Sequence, residues 1–270
     1  MAISLESFLV LEKSLTKKIL ALVKKDIKEP IVEIFDLIAS GDLSKAESKL
    51  LSLQYVLKDT AYLGRIGLAA SLFGASQVSD KVGASTSFIG TEAFRADMSN
   101  SVKVSVTTLN NLLTAAITTP IANIIKDKRA NPNTDVFRRT TKQGIGDKII
   151  QAVTISNSLH VSRMAAYGYL SEAAAKGVKV YRVTAQLDEN TCPVCDTLDG
   201  KIFKVQDGLQ KIRAIMSVTD PEVIKEMSPF PKQAKKDVVA LQAYGIEDLV
   251  KLGFHTPPFH PMCRCTLVKV

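Results

Sequence analysis

The feature that most constrains this chain is the placement of its four cysteines. Cys192 and Cys195 stand together in "TCPVC", and Cys263 and Cys265 end "HTPPFHPMCRC", which also holds His255 and His260, two of the three histidines. Disulfides would need an oxidising compartment, and "MAISLESFLVLEKSLTKK" shows an early glutamate and no cationic secretory segment. A redox CxxC belongs between a strand and a helix, whereas here a β-rich stretch precedes it and an Asp-Gly turn with a second strand follows. One zinc ion fits better. Zinc takes four thiolate or imidazole ligands in a tetrahedron, and two residues separated by two chelate from one tight turn. Cys192 with Cys195, and His260 with Cys263, both have that spacing. Cys265 lies two residues beyond Cys263; on a strand the two would face opposite sides, so both could ligate only if the chain bends. The first ligand set is therefore Cys192, Cys195, His260 and Cys263, with Cys265 able to replace His260 or Cys263. Four protein ligands leave no open position, so the expected role is structural: a clasp between two distant segments.

Before the first cysteine pair the chain reads as helix. "SLESFLVLEKSLTKKILALVKK" spaces Leu5, Phe8, Leu9, Ile19 and Leu22 as an amphipathic helix would, and Pro30 can open a second helix. A start at Ser40 or Asp42 leads into a stripe of Leu43, Ala46, Leu50, Leu53 and Leu57. "YLGRIGLAASLFGAS" is small and apolar, suited to close helix contacts. Val104 to Ile125 has 22 residues without a charge, long enough to span a bilayer, but its threonines and asparagines are costly in hydrocarbon. It reads as a buried helix, broken or kinked at Pro120. Residues 126–148 read as a basic, turn-rich solvated linker, with a phosphate- or partner-contacting arm as the alternative. A long helix then ends at Gly177.

After Gly177 the period changes. Residues 178–187 alternate as a strand, Asp199–Gly200 signals a hairpin turn before a second short strand, residues 206–253 read as helices and loops, and "CTLVKV" closes as a strand. The fold class expected is α+β: a mainly helical N-terminal body followed by a small zinc-stabilised α+β module. The net charge of +8 is concentrated early, with 22 basic and 16 acidic residues before Gly177 against 13 and 11 from it onward. Tryptophan is absent and aromatics are 6%, which argues against stacking platforms for single-stranded nucleic acid.

"AQLDENTCPVCDTLDGKIF" and "PPFHPMCRCTLV" together closely resemble the C-terminal signature of the Mu F-like minor head proteins of tailed phages. Asp188, Thr191, Cys192, Cys195, Leu198, Asp199, Gly200, Pro257, Pro258, His260, Pro261, Cys263, Arg264 and Cys265 all match that pattern. The helix before it is also similar, although the family's frequent Arg-Thr-Glu run is replaced here by "ISNSLHV". The resemblance covers about residues 145–270 and implies two regions: 1–144, a helical N-terminal region, and 145–270, a Mu F-like domain whose zinc-clasped module occupies 177–270. It further implies a structural minor head protein, made in the host cytoplasm and residing in the virion. The partners it implies are the portal protein, major capsid or scaffold proteins, and in some members packaged or ejected double-stranded DNA. No small-molecule substrate is expected. A zinc-containing nucleic-acid binder is the rival reading, and a toxin or transferase enzyme a further one. His160, His255, Asp188, Glu189, Asp196 and Asp199 are the obvious acid–base candidates, but no nucleophile–base pairing or phosphate-cradling glycine loop is legible.

Overall fold

The computed structural model describes residues 5–57, 59–78, 88–131, 137–231 and 235–270. They are mainly helical, with a small three-stranded sheet. Helices α1 (Leu5–Ala39), α2 (Leu43–Leu51), α3 (Ala61–Ser76), α4 (Glu92–Ala130) and α5 (Phe137–Ala175) precede the first strand. Strands β1 (Val180–Thr184), β2 (Ile202–Lys204) and β3 (Thr266–Lys269) are interspersed with α6 (Pro193–Leu198), α7 (Val205–Ser217), α8 (Pro221–Met227), α9 (Lys235–Ala243) and α10 (Ile246–Lys251). The chain forms two compact units: one from Met1–Glu12, Ala61–Ser105 and Asn157–Val270, the other from Lys13–Thr60 and Val106–Ser156. These units cut across the boundary at 144/145 that the resemblance implies.

In the Lys13–Thr60/Val106–Ser156 unit the helices run longer than proline placement suggests. Pro30 lies inside α1 and Pro120 inside an unbroken α4, so neither starts nor breaks a helix. An interior proline costs about 3 kcal/mol. Leu109, Leu113, Ile117, Ile121 and Ile124 form one buried face along α4, each stabilising by about 1.5–3 kcal/mol, and that sum outweighs the proline. The same residues explain the uncharged stretch: it is a core-facing helix, and no described helix is long and apolar enough to cross a membrane. On α1 the buried stripe is Leu15, Ile19, Val23, Ile27, Ile34 and Ile38, whereas Leu9 is exposed; the side chains of Leu5 and Phe8 lie outside those described.

Asp42 caps α2, accepting a hydrogen bond from Lys45 N, as its position before an apolar run predicts. That helix stops at Leu51, short of Leu53 and Leu57. Leu57 is buried all the same, its backbone N–H donating to Asn110 Oδ1 at 3.0 Å. The basic linker is largely helix: α4 continues through Ala130 and α5 begins at Phe137, while 132–136 lie outside the described residues.

In the other unit, α3 lies against α5 with almost no side-chain layer between them. A Cβ on Gly74 would sit 1.9 Å from Ala165 O, and one on Gly168 would sit 2.0 Å from Ser71 O. Ser71 Oγ donates to Met164 O at 3.2 Å across the same contact. Helix α5 ends at Ala175, and Gly177 (φ +70°) follows in the left-handed region. Gly177 N bonds to Ala174 O and Val178 N to Ala173 O, a glycine-terminated helix end.

The sheet is antiparallel, ordered β2-β1-β3, with Tyr181 opposite Phe203 on one side and Lys269 on the other. The first strand is narrower than 178–187. Its partner β2 is reached through α6, so Asp199–Gly200 is not a two-residue hairpin turn but the end of that helix, with Gly200 at φ +72°. Asp199 Oδ1 accepts from Ala185 N at 2.7 Å, fastening the helix end to the end of β1.

Candidate metal centre

The first half of the cysteine cluster is built by a turn and a helix start. Asp188 N donates to Thr191 Oγ1 at 2.7 Å, and that hydroxyl donates to Gln186 O at 2.6 Å. This fold of the chain delivers Cys192 in extended conformation as the N-cap of α6, with Pro193 in the first helical position. Cys192 Sγ accepts from Cys195 N at 3.3 Å, so both sulfurs emerge from one turn. The CxxC therefore does open a short helix, where the sequence points only to a turn and a strand; the helix is six residues long, and β2 begins at Ile202 after the turn at Asp199–Gly200.

The second half hangs from a loop tied to the module's core. Tyr181, on the central strand, donates from its hydroxyl to His255 O at 2.7 Å. Lys211 on α7 donates to Gly253 O and, at 3.2 Å, to Thr256 O. Burial, and then the charge of Arg163, lower the Lys211 ammonium to about 7. Phe259 is buried beside the loop, after the cis Pro257–Pro258 bond. His260 to Cys263 then turn tightly: Cys263 N donates to His260 O at 3.2 Å, and Met262 takes φ +65°.

The two halves converge. His260 Nε2 stands 3.1 Å from Cys192 Sγ and 3.0 Å from Cys195 Sγ. His260 Nδ1 is 2.6 Å from Pro261 O, which fixes the proton on Nδ1 and leaves the Nε2 lone pair toward the sulfurs. Cys195 Sγ is 3.9 Å from Cys263 Sγ, and Cys195, Cys263 and Cys265 place their sulfurs within 4.8 Å of one another. All four cysteines are free thiols. Cys263 and Cys265 do not lie on a strand: β3 begins only at Thr266 and residues 263–265 are irregular, so the bend that lets both sulfurs face the cluster is present. Cys195 is thus shared between two donor triplets, Cys192–Cys195–His260 and Cys195–Cys263–Cys265.

The donor set suits a soft or borderline cation. Tetrahedral zinc sets sulfur–sulfur edges of about 3.8 Å and sulfur–nitrogen edges of about 3.6 Å. The Cys195–Cys263 separation matches, and the two His260 edges would open by about half an ångström. Electrostatics point the same way. Hydrogen bonds from Cys195 and then Cys265 hold the Cys263 thiol down to about 3, while the bond to Cys263 pushes Cys195 well above the thiol range. A divalent ion bound there would draw the sulfurs to thiolate.

An ion pair closes the site from outside. Arg264 Nη1 and Nη2 donate to Asp188 Oδ2 and Oδ1, each at 2.6 Å, joining the turn before Cys192 to the residue between Cys263 and Cys265. The guanidinium holds the Asp188 carboxyl down to about 2. Both residues were legible as motif positions; their pairing, and the supports from Lys211 and Tyr181, were not.

The acid–base candidates do not assemble. His160 is fully buried; Ser105 Oγ lies 2.9 Å and Ser101 Oγ 3.1 Å from Nδ1, and Nε2 is 2.9 Å from Leu63 O. This is a serine–histidine contact the sequence did not reveal, but it is sealed inside α3, α4 and α5. Burial lowers His160 to about 4. His255 is likewise buried against Phe203, and burial with the Lys211 charge lowers it to about 4. Asp199 is engaged by Ala185 N, while Glu189 and Asp196 lie exposed.

Residues 129–268, just over half of the chain, match the family model described as phage Mu protein F like protein. The chain belongs to the phage Mu F-like family. The match contains every donor of the cluster and reaches further upstream than 145, taking in the end of α4 and all of α5. Membership supports a role in phage head morphogenesis and a place in the virion. No curated protein and no solved structure matches this Mu F-like protein.

Proposed function

We propose that this Mu F-like protein is a structural minor head protein, docked on the portal or the inner capsid, whose C-terminal module is closed by one zinc ion. The family match across the whole cysteine–histidine cluster carries this reading. Zinc is favoured because the donors are thiolates and an imidazole, the set that soft and borderline ions select. Its role is to hold chain segments together. The donors come from the start of α6 and from the loop before β3, more than sixty residues apart, and four of the five fill a tetrahedron with no position left for water. Among the described residues, the acids and histidines outside the cluster are buried, paired or dispersed, which supports a structural protein over a toxin, transferase or nuclease. The partners proposed are the portal, the major capsid or scaffold proteins, and packaged DNA. Quantifying the protein in purified virions, with pull-downs on isolated portal, tests the reading. Recovery in both is expected; absence from both, with turnover of any substrate, would replace it with an enzyme.

A further inference from the structure

Helix α1 carries a charged face that the metal centre does not use and that lies outside the family match. Lys13, Lys17, Lys24 and Lys28 are all exposed and are spaced by one turn, two turns and one turn. At 100° per residue they fall within an arc of about 60° and cover about 22 Å of helix. None of the four has an ion-pair partner among the described residues.

Two acids of the same helix, Asp26 and Glu33, are engaged away from this face. Asp26 lies toward Tyr55, whose hydroxyl is pushed up to about 12 by burial and then by that carboxylate. Glu33 is paired with Lys49 from α2. The basic segment at 126–148 is less free where it is described: Arg129 is held by Glu47 at 2.5 Å, and Lys128 is also engaged.

A row of unneutralised lysines suits a partner with regularly spaced charge. Protein interfaces bring apolar or aromatic anchors to their centre. Between residues 12 and 31 the helix exposes no large hydrophobic side chain. Single-stranded nucleic acid would call for stacking aromatics, which this face lacks. Lysine is a point charge on a flexible stem, able to meet a phosphate without reading a base. We propose that this face of α1 binds the phosphate backbone of double-stranded DNA without sequence preference, one phosphate per lysine. The proposal rests on the head-protein reading only in that such a protein meets packaged duplex.

The test uses the full zinc-loaded chain and a labelled 30-base-pair duplex of mixed sequence, with binding followed by fluorescence anisotropy from 50 to 300 mM NaCl. Four phosphate contacts predict a slope of log K against log salt of about −3.6, each Lys→Gln change lowering its magnitude by about 0.9. Lys13→Gln/Lys17→Gln/Lys24→Gln/Lys28→Gln should lose measurable binding while keeping its helical content. Lys204→Gln/Lys251→Gln, exposed in the other unit, should bind as wild type does. An unchanged slope in the quadruple variant would overturn the proposal, as would a wild type that ignores duplex at 50 mM salt. Lysine-dependent binding to isolated portal or capsid, with no binding to DNA, would reassign the face to an acidic protein and overturn it equally. DNA binding by a protein absent from virions would sink the head-protein reading and leave this face standing.

Discussion

His260 and Cys265 decide which four side chains form the clasp. His260 commits Nε2 to two sulfurs and anchors Nδ1 on its neighbour's carbonyl, the arrangement of a ligand whose outer nitrogen is already held. Cys263 completes an edge of the right length with Cys195. The expected result is that His260→Ala and Cys263→Ser lose the metal while Cys265→Ser retains it, as read by metal content after gel filtration. Metal kept by His260→Ala but lost in both Cys263→Ser and Cys265→Ser would make the Cys-Arg-Cys pair the second chelate. Asp188 acts one step further out, by way of Arg264. Asp188→Asn breaks the two-pronged contact between the halves without touching a ligand, and metal affinity should fall by about tenfold in competition with a chromophoric chelator. Unchanged affinity would show that the ligands position themselves unaided.

At the scale of elements, the closest packing lies between α3 and α5, and glycines permit it. Gly168→Ala would place a methyl 2.0 Å from a backbone oxygen that cannot step aside, so the helices must separate. The expected loss is about 3 kcal/mol or more, seen as a lowered melting temperature. Gly144→Ala, in α5 with open space around it, should instead gain about 0.5–1 kcal/mol. Equal responses of the two variants would mean that α3 and α5 do not meet as described. The small-residue run at 61–76 announced such a contact, because alanine, glycine and serine allow backbones to approach; its partner helix was not legible, since any small-residue stretch could serve. Boundaries failed where packing outweighed local preference. Pro30 reads as a helix start and Pro120 as a break or kink, yet buried isoleucines on both sides of each carry the helix through. Asp199–Gly200 read as a hairpin because the pair favours tight turns, and the same preference serves a helix end equally well.

For the molecule as a whole, the strands after Gly177 were legible because the hydrophobic period changes there, and the cysteine–histidine cluster because such residues crowd at chelating spacings. The convergence of Cys263 and Cys265 was not, because it depends on where β3 begins and on the left-handed turn at Met262. The β3 strand follows directly from the cluster and pairs with β1, so the ion would fix the edge of the sheet as well as the loops. Removing it should loosen the module while sparing α1 and α2, and limited proteolysis after chelation should cut first between residues 185 and 265. The most direct measurement is the metal content of protein purified under reducing conditions without added metal, by elemental mass spectrometry. One zinc per chain, lost in Cys192→Ser, is the result predicted. A folded chain with no bound metal, and a module equally resistant to protease with and without chelator, would contradict it.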